Sequence, residues 1–172
     1  MDFEKVIRTR RSIRRYTEKE IPQDVLSRIL DAARVAPSGN NHQPWKFVVV
    51  RNRALKEKIA EFSYGQSFIA AAPVVIVCCS EKYPNSYEPH RDLAHLIDTV
   101  IAIDHLVLAA RNEGVGSCWI GAFDGKSIGK LLGFGSGMEV VMVIPLGYPV
   151  SEDAFRESSG RKTLKEITYE AK

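Results

Sequence analysis

The sequence predicts a single domain in which helices cover both sides of a small β-sheet. Amphipathic helical patterns alternate along the chain with a few short, strongly apolar runs that have the length and composition of buried strands. A chain of 172 residues, without an evident internal repeat or interdomain linker, fits one domain with a substantial core. Because each apolar face must be buried against another layer, helices that alternate with buried strands are expected on both faces of the sheet.

The first half of the chain contains helices and two of the predicted strands. A short helix over residues 2–9 leads into an arginine-rich segment, and a second helix begins at Pro22 and runs to about Ala36, where Pro37 ends it. Residues 45–50 are predicted as a buried strand because they end in an apolar run without alternation. The elements predicted next are a helix over residues 53–62, a turn at 64–66, a short helix over 68–72 and a second buried strand over 74–79.

The second half is dominated by the longest helix, predicted over residues 91–112 after a surface loop over 81–89. Apolar residues cover more than one stripe of this helix, so it is either central to the domain or shared with a partner chain. The elements predicted after it are a glycine-punctuated strand and turn over residues 114–123, a short helix over 125–132 and a third strong strand over 139–144. The tail, residues 151–172, has few apolar residues and is predicted to wrap a surface.

Composition argues against several classes of protein. A net charge of +3 does not indicate a nucleic-acid binder. The N-terminus lacks the apolar segment of a signal peptide, and no uninterrupted apolar run reaches the roughly 18 residues that span a membrane, so we expect a cytoplasmic protein without membrane contact. Three cysteines without CxxC spacing argue against a disulfide framework or a zinc site, and the adjacent Cys78 and Cys79 are predicted to be core residues.

Positive charge is concentrated near the N-terminus, where the eight residues from Arg8 to Arg15 include five arginines and no acid. If this segment is extended, alternation places Arg10, Ser12 and Arg14 on one side. Guanidinium groups and a hydroxyl that converge from one side suit a phosphate, because the arginine fork matches phosphate oxygens. A solvated basic surface is the alternative interpretation.

A polar loop over residues 36–47 separates the second helix from the first strand, with a proline near each end. Ser38 and Gly39 are small enough to let a ligand approach the backbone, while Asn41 and Gln43 offer both donors and acceptors. This composition suits a flat ligand rich in heteroatoms. A long capping turn is the alternative.

Other kinds of site find little support in the sequence. His95, Asp98 and His105 fall on roughly one face of the long helix, but Asp98 and His105 are about 10 Å apart along its axis, too far to share a metal ion. No histidine is linked to Cys118 by local spacing, and the sequence has neither a GxSxG nor a Walker-type phosphate loop. No metal site and no catalytic nucleophile is predicted.

Three separated segments together resemble the FMN-dependent nitroreductase family in order and spacing: Arg10–Arg14, Ala36–Trp45 and Gly114–Phe123. Residues 161–167 are similar to the C-terminal phosphate-binding element of that family, so the likeness covers essentially the whole chain. The resemblance implies an α+β, three-layer α/β/α sandwich with a small mixed, mainly antiparallel sheet. It also implies an intertwined homodimer in which residues 1–172 form one FMN-binding domain and the tail, about 151–172, wraps the partner subunit.

The resemblance assigns residues to the cofactor by position. Arg10, Ser12, Arg14 and Arg161 would hold the FMN phosphate, with Arg11 near the phosphate and the ribityl chain. The loop residues that would reach the flavin of the other subunit are Pro37, Ser38, Gly39 and Asn41, and those that would lie against the isoalloxazine are Ile120 and Gly121.

The function implied is an NADH- or NADPH-dependent oxidoreductase that passes electrons through FMN to nitroaromatics, quinones or similar small acceptors by a ping-pong mechanism. The flavin carries the chemistry, so no side chain is predicted as a catalytic acid or base. Alternatives are another reaction on the same scaffold, such as reductive dehalogenation or flavin breakdown, and a non-enzymatic flavin-storage protein. The chain differs from larger members in lacking an insertion after Phe62 and in having Gly121 where they place an acidic residue, which predicts an exposed pocket.

Overall fold

The computed structural model describes residues 1–83 and 91–171, and its middle layer is a four-stranded antiparallel sheet in the order β1–β2–β4–β3. The strands are β1 Trp45–Val50, β2 Val74–Glu81, β3 Gly116–Ser117 and β4 Met138–Gly147. The helices are α1 Phe3–Thr9, α2 Gln23–Arg34, α3 Arg53–Phe62, α4 Phe68–Ala71, α5 Arg91–Asn112, α6 Gly125–Leu131 and α7 Leu164–Ile167, with 3₁₀ turns at Gly39–Asn41 and Glu152–Ala154. Residues 84–89 of the predicted surface loop lie outside the described residues, and so does His90.

Helices cover both faces of the sheet, which confirms the predicted α+β, three-layer sandwich. On one face, α2 and α5 contribute the buried side chains Leu26, Ile29, Ile103 and Leu106. On the other, α3, α4 and α6 contribute Ile59, Ile69 and Ile128. Strand β2 lies between β1 and β4, and its residues Val74 to Ser80 are buried, as predicted for a strand without alternation.

Local capping signals set several helix ends. The side chain of Asn52 accepts a hydrogen bond from Leu55 N at 3.0 Å and begins α3. The carboxylate of Asp124 accepts from Lys126 N and Ser127 N, both at 3.1 Å, and begins α6. Helix α2 begins one residue after Pro22, which occupies the N-cap and not the first helical position as predicted.

Strand β1 is less buried than its apolar sequence predicts. Val49 is 38% exposed, although it lies in an apolar run. The difference follows its position, because β1 is an edge strand, whereas the uniformly buried β2 lies between two neighbours.

The arginine-rich segment lies along the edge of the sheet formed by β3. Ser12 makes a parallel bridge with Ser117, and Ile13 N donates to Ser117 O at 2.9 Å. Gly116 permits this approach, since a Cβ atom there would lie 2.8 Å from Ile13 Cβ. The four strands pair antiparallel throughout, as the prediction of a mainly antiparallel sheet requires, and this isolated bridge fixes the arginines beside the turn that follows β3.

Helix α5 carries an exposed apolar stripe. Leu93, Ile97 and Val100 are 56%, 53% and 39% exposed, while Ile103 and Leu106 on the same helix are fully buried. Residues 93–112 have the length and composition of a membrane-spanning helix, but this is weak evidence because core helices of soluble proteins meet the same test. The stripe is a surface that this chain alone does not cover.

Candidate functional site

All the residues predicted to hold a phosphate line one cavity. Its volume is about 330 Å³, and its lining residues are Arg10, Arg11, Ser12, Arg14, Ser158, Gly160 and Arg161. The fold therefore brings the C-terminal tail to the arginine-rich segment across about 150 positions of sequence. No local pattern in the sequence links these two segments.

The guanidinium groups at this cavity have no carboxylate partner within the described part of the chain, whereas several arginines on the helices do. Arg8, Arg34 and Arg53 each pair with an acidic side chain on their own helix, at 2.7 to 2.9 Å. Arg10 is the extreme case, because its Nη1 atom is buried and has no hydrogen-bond partner. A buried donor without a partner costs about 1–3 kcal/mol, which a bound anion would recover. The donors present fit a phosphate group.

A second cavity of about 490 Å³ shares Arg11, Ser12 and Arg14 with the first. It is lined further by residues 149–151, 153, 154 and 156, which follow β4. The arginine-rich segment is thus open along two neighbouring cavities, and the space is larger than a free phosphate requires. The arrangement suits a phosphate carried on a longer molecule.

The turn after β3 presents backbone atoms to solvent. Both backbone polar groups of Ile120 bond to Val143, at 3.1 and 3.2 Å, and the Ile120 side chain is only 3% exposed. This side chain belongs to the core, so a ligand would meet the backbone that follows it. Gly121 is exposed, has no heavy atom within 4 Å of the place where a Cβ would stand, and its N–H has no partner among the described residues. A planar ring can approach this N–H directly.

The polar loop has a strained backbone. Asn40, Asn41 and Gln43 have φ angles of 48°, 58° and 50°, in the left-handed region that residues other than glycine adopt infrequently. Gln43 N donates to Ser38 Oγ, and Gln43 Nε2 donates to Asn41 O, both at 3.0 Å. The amide of Gln43, predicted as a ligand-facing group, is therefore used inside the loop.

Asp98 on α5 holds this loop in place. Its Oδ2 atom accepts a hydrogen bond from Gly39 N at 2.9 Å and another from the hydroxyl of Tyr83. The sequence alone indicated Asp98 only as a possible metal ligand and did not predict this contact. The sequence did hold one signal for this contact. Asp98 is a carboxylate on a mainly apolar helix, and a carboxylate in such surroundings requires a polar partner nearby.

The polar loop does not line the cavity formed by Arg10, Arg11, Ser12, Arg14 and Arg161 of its own chain (the arginine cavity). None of Pro37, Ser38, Gly39 and Asn41 is among the residues that line either cavity beside the arginine-rich segment. The two groups of predicted cofactor residues are thus separate within one chain. That these loop residues serve a flavin of another subunit stays a prediction.

The histidines that the structure describes have other partners. His95 Nε2 lies 2.5 Å from Glu139 Oε1, and His105 Nδ1 lies 3.3 Å from Ala32 O. No group of three or more potential metal ligands occurs in residues 1–83 and 91–171. Cys118 is buried, and burial raises the pKa of its thiol while the charge of Arg14 partly opposes the shift. A thiol held protonated in this way is a poor nucleophile.

Comparison with known proteins places the chain in one family. The model of the nitroreductase family matches residues 7–70 and 63–148. A protein of Archaeoglobus fulgidus, provisionally named NADH dehydrogenase/NAD(P)H nitroreductase, is 38% identical over 165 residues, which cover 91% of each chain. The iodotyrosine deiodinase of Hydra vulgaris is 26% identical over 96% of this chain and 71% of its own length.

A solved structure gives the same result for the fold. The nitroreductase family protein from Clostridium novyi superimposes with a TM-score of 0.79 at 34% identity, over 91% of this chain and 89% of that chain. The family match, the close relatives and the superposition agree over most of the chain. This chain belongs to the nitroreductase family of oxidoreductases.

Proposed function

We propose that this protein is an FMN-dependent oxidoreductase that takes electrons from NADH or NADPH and passes them to a small organic acceptor. The observation that carries the proposal is the buried, unpartnered Nη1 atom of Arg10 in a cavity that Arg11 and the three other predicted phosphate residues also line. Such a donor calls for a bound anion. The family and its named NAD(P)H nitroreductase relatives support a flavin carrying that anion.

The residues would divide the cofactor between them. Arg10, Ser12, Arg14 and Arg161 would bind the phosphate, and Arg11, which lines both cavities, would lie where the phosphate joins the ribityl chain. The free N–H of Gly121 would meet the edge of the flavin ring. When bound, FMN supplies the hydride-accepting and hydride-donating chemistry that the side chains of this site lack.

The chain itself would contribute binding, orientation and charge. Unpaired guanidinium groups create a positive field, which favours negative charge on whatever occupies the site. Gly121 leaves the ring edge open, so donor and acceptor could occupy the same place in turn, as a ping-pong mechanism requires. No side chain is assigned as a catalytic acid or base.

We also propose a homodimer with FMN at the subunit interface. The exposed stripe of α5, namely Leu93, Ile97 and Val100, supports this proposal, as does a tail that exposes Leu164 and Tyr169 at 72% and 91%. The tail, about residues 151–172, would wrap the partner. Replacing Ile97 by aspartate should place a charge in the interface and shift the protein from dimer to monomer in sedimentation experiments, whereas Val35→Asp, at an apolar residue that is 59% exposed on another element, should not.

Nitroaromatics are the proposed acceptors because relatives are named nitroreductases, and quinones are proposed beside them from the family resemblance alone. Reductive dehalogenation is the second candidate, because the deiodinase of Hydra vulgaris matches almost the whole chain. The two can be separated by offering the reduced protein a nitroaromatic, a quinone and an iodinated phenol in parallel. Faster turnover of the iodinated phenol would favour the second candidate.

Titration of the purified apoprotein with FMN and with riboflavin tests the cofactor assignment. Because riboflavin lacks the phosphate, it should bind at least about 100-fold more weakly, the effect of losing two or more charge-assisted hydrogen bonds. NADH or NADPH should then bleach the bound flavin in the absence of oxygen, and an acceptor should restore its colour. Equal affinity for the two flavins would contradict the phosphate assignment, and a bound flavin that neither nucleotide reduces would indicate storage.

A further inference from the structure

Arg111 is a buried cation near the proposed phosphate site that no role described above uses. It lies in the last turn of α5 and is 6% exposed. No carboxylate among residues 1–83 and 91–171 forms an ion pair with it. Burial lowers the pKa of its guanidinium group. A buried charge without a counter-ion needs other contacts to be retained.

Two side-chain contacts of Arg111 reach residues that adjoin the two segments lining the arginine cavity. Arg111 Nε donates to Thr9 Oγ1 at 2.9 Å, and Thr9 directly precedes Arg10. The Arg111 guanidinium carbon lies 4.1 Å from the centre of the Phe155 ring, and Phe155 leads through Ser158 to Arg161. One planar side chain therefore contacts both the N-terminal and the C-terminal segment of the cavity.

Of the two partners of Arg111, Thr9 belongs to a helix, whereas Phe155 lies close to an exposed tail. The hydroxyl of Thr9, the last residue of α1, also donates to Lys5 O one turn earlier, so the N-terminal contact is tied to a helix. Phe155 follows a 3₁₀ turn, and the residues from 159 to 171 are all exposed. The Phe155 ring, stacked on Arg111, therefore holds the chain in place just before a tail that is largely exposed.

We propose that Arg111 is a positioning residue that sets Arg161 against Arg10 and so assembles the phosphate site from two distant segments. The proposal rests on the proposed function, because it names a further residue on which FMN binding depends. Lysine could keep the charge of Arg111, but it lacks the planar group that stacks on a ring while it donates from Nε. The planar guanidinium, and not the charge alone, is required.

The first test uses the apoprotein and does not depend on FMN. Trypsin cleavage after Arg156, Arg161 and Lys162, followed by mass spectrometry, reports how firmly the tail is held. Arg111→Met and Phe155→Ala should accelerate this cleavage at least about fivefold, and Phe155→Tyr, which keeps the ring, should restore the wild-type rate. Arg34→Met, which removes an exposed arginine paired with Asp31 on α2, is the control. Unchanged cleavage in Arg111→Met would overturn the proposal.

The second test measures FMN affinity in a double-mutant cycle. Arg111→Met should weaken FMN binding about tenfold, and Arg111→Lys should restore only part of it. In an Arg161→Ala background the same Arg111→Met change should have less than a twofold effect, because Arg161 is no longer there to be positioned. Full additivity of the two changes, or wild-type affinity in Arg111→Met, would refute the role. A wild-type protein that binds no FMN would refute the proposed function, and the trypsin test would still decide whether Arg111 holds the tail.

Discussion

Replacing Arg10 by methionine tests the anion site at its most buried donor. Methionine keeps much of the aliphatic stem of arginine and removes the guanidinium, so the change concerns hydrogen bonding and charge more than packing. Nη1 of Arg10 is buried and has no hydrogen-bond partner in the described part of the chain. The variant therefore loses a donor that has no partner among the described residues.

Arg10→Met should weaken FMN binding, but it should not lower the stability of the apoprotein. Loss of one charge-assisted hydrogen bond is worth about 1.5–3 kcal/mol, and since 1.4 kcal/mol corresponds to a tenfold change in affinity, FMN should bind roughly 10- to 150-fold more weakly. The apoprotein should be as stable as the wild type or more stable. Its buried, unsatisfied donor, which costs about 1–3 kcal/mol, has been removed.

Fluorescence titration with FMN and urea denaturation of the apoprotein measure the two quantities. Arg53→Met is the matched control, because it removes the same charge from an exposed pair with Glu57 on α3. Its FMN affinity should stay within about twofold of the wild type, since exposed ion pairs are worth little and are screened. Unchanged FMN affinity in Arg10→Met would refute the assignment of Arg10 to the phosphate. A large loss of apoprotein stability would show instead that Arg10 has a structural partner.

Three further predictions concern the surroundings of the site. Gly116→Ala should lower the free energy of unfolding by about 1–3 kcal/mol, because its Cβ would stand 2.8 Å from side-chain atoms of Ile13. Gly135→Ala, the control, has open space around it and should not change this free energy. Equal urea midpoints for the two variants would contradict the reasoning. Asp98→Ala removes the acceptor of Gly39 N and should speed hydrogen exchange of that amide and weaken FMN about tenfold; an unchanged exchange rate would count against the contact. Arg28 lowers the pKa of Glu113, so their bridge stabilises the fold above the unfolded pKa of Glu113 and is lost as pH falls through the folded one. Arg28→Met should therefore be less stable than the wild type at neutral pH, and the difference should shrink as the pH falls and protonates Glu113 and Asp24, the two carboxylates that pair with Arg28. A pH-independent difference would exclude this linkage.

Local signals were enough for much of the fold. The predicted bounds of α3 and α5 agree with the structure, because Asn52 caps α3 and the apolar pattern of α5 continues until Glu113 and Gly114. The buried strand at residues 74–79 also follows from composition alone, since a strand covered on both faces needs no polar alternation. Each of these features is decided by residues close together in the sequence.

The assembly of the site was not visible in local patterns. The bond from Gly39 to Asp98 spans 59 positions, and the bond from Arg111 to Thr9 spans 102. Hydrophobic periodicity carries no information about such pairs. Arg161 was assigned to the phosphate only through the family resemblance, because nothing in the residues around it distinguishes it from other basic residues of the tail.

Helix α5 connects the two parts of the proposed cofactor site. Asp98, in its first half, holds the polar loop, and Arg111, in its last turn, contacts both segments of the arginine cavity. The two residues are 13 positions apart, which corresponds to about 20 Å along a helix axis. If the polar loop and the arginine cavity both bind FMN, the loop of one chain has to meet a flavin held by the arginines of another chain. The exposed stripe of α5 would then be the surface that brings the two chains together. Cofactor affinity and dimerisation should then change together, so that a variant that breaks the dimer also loses FMN while its arginines remain intact.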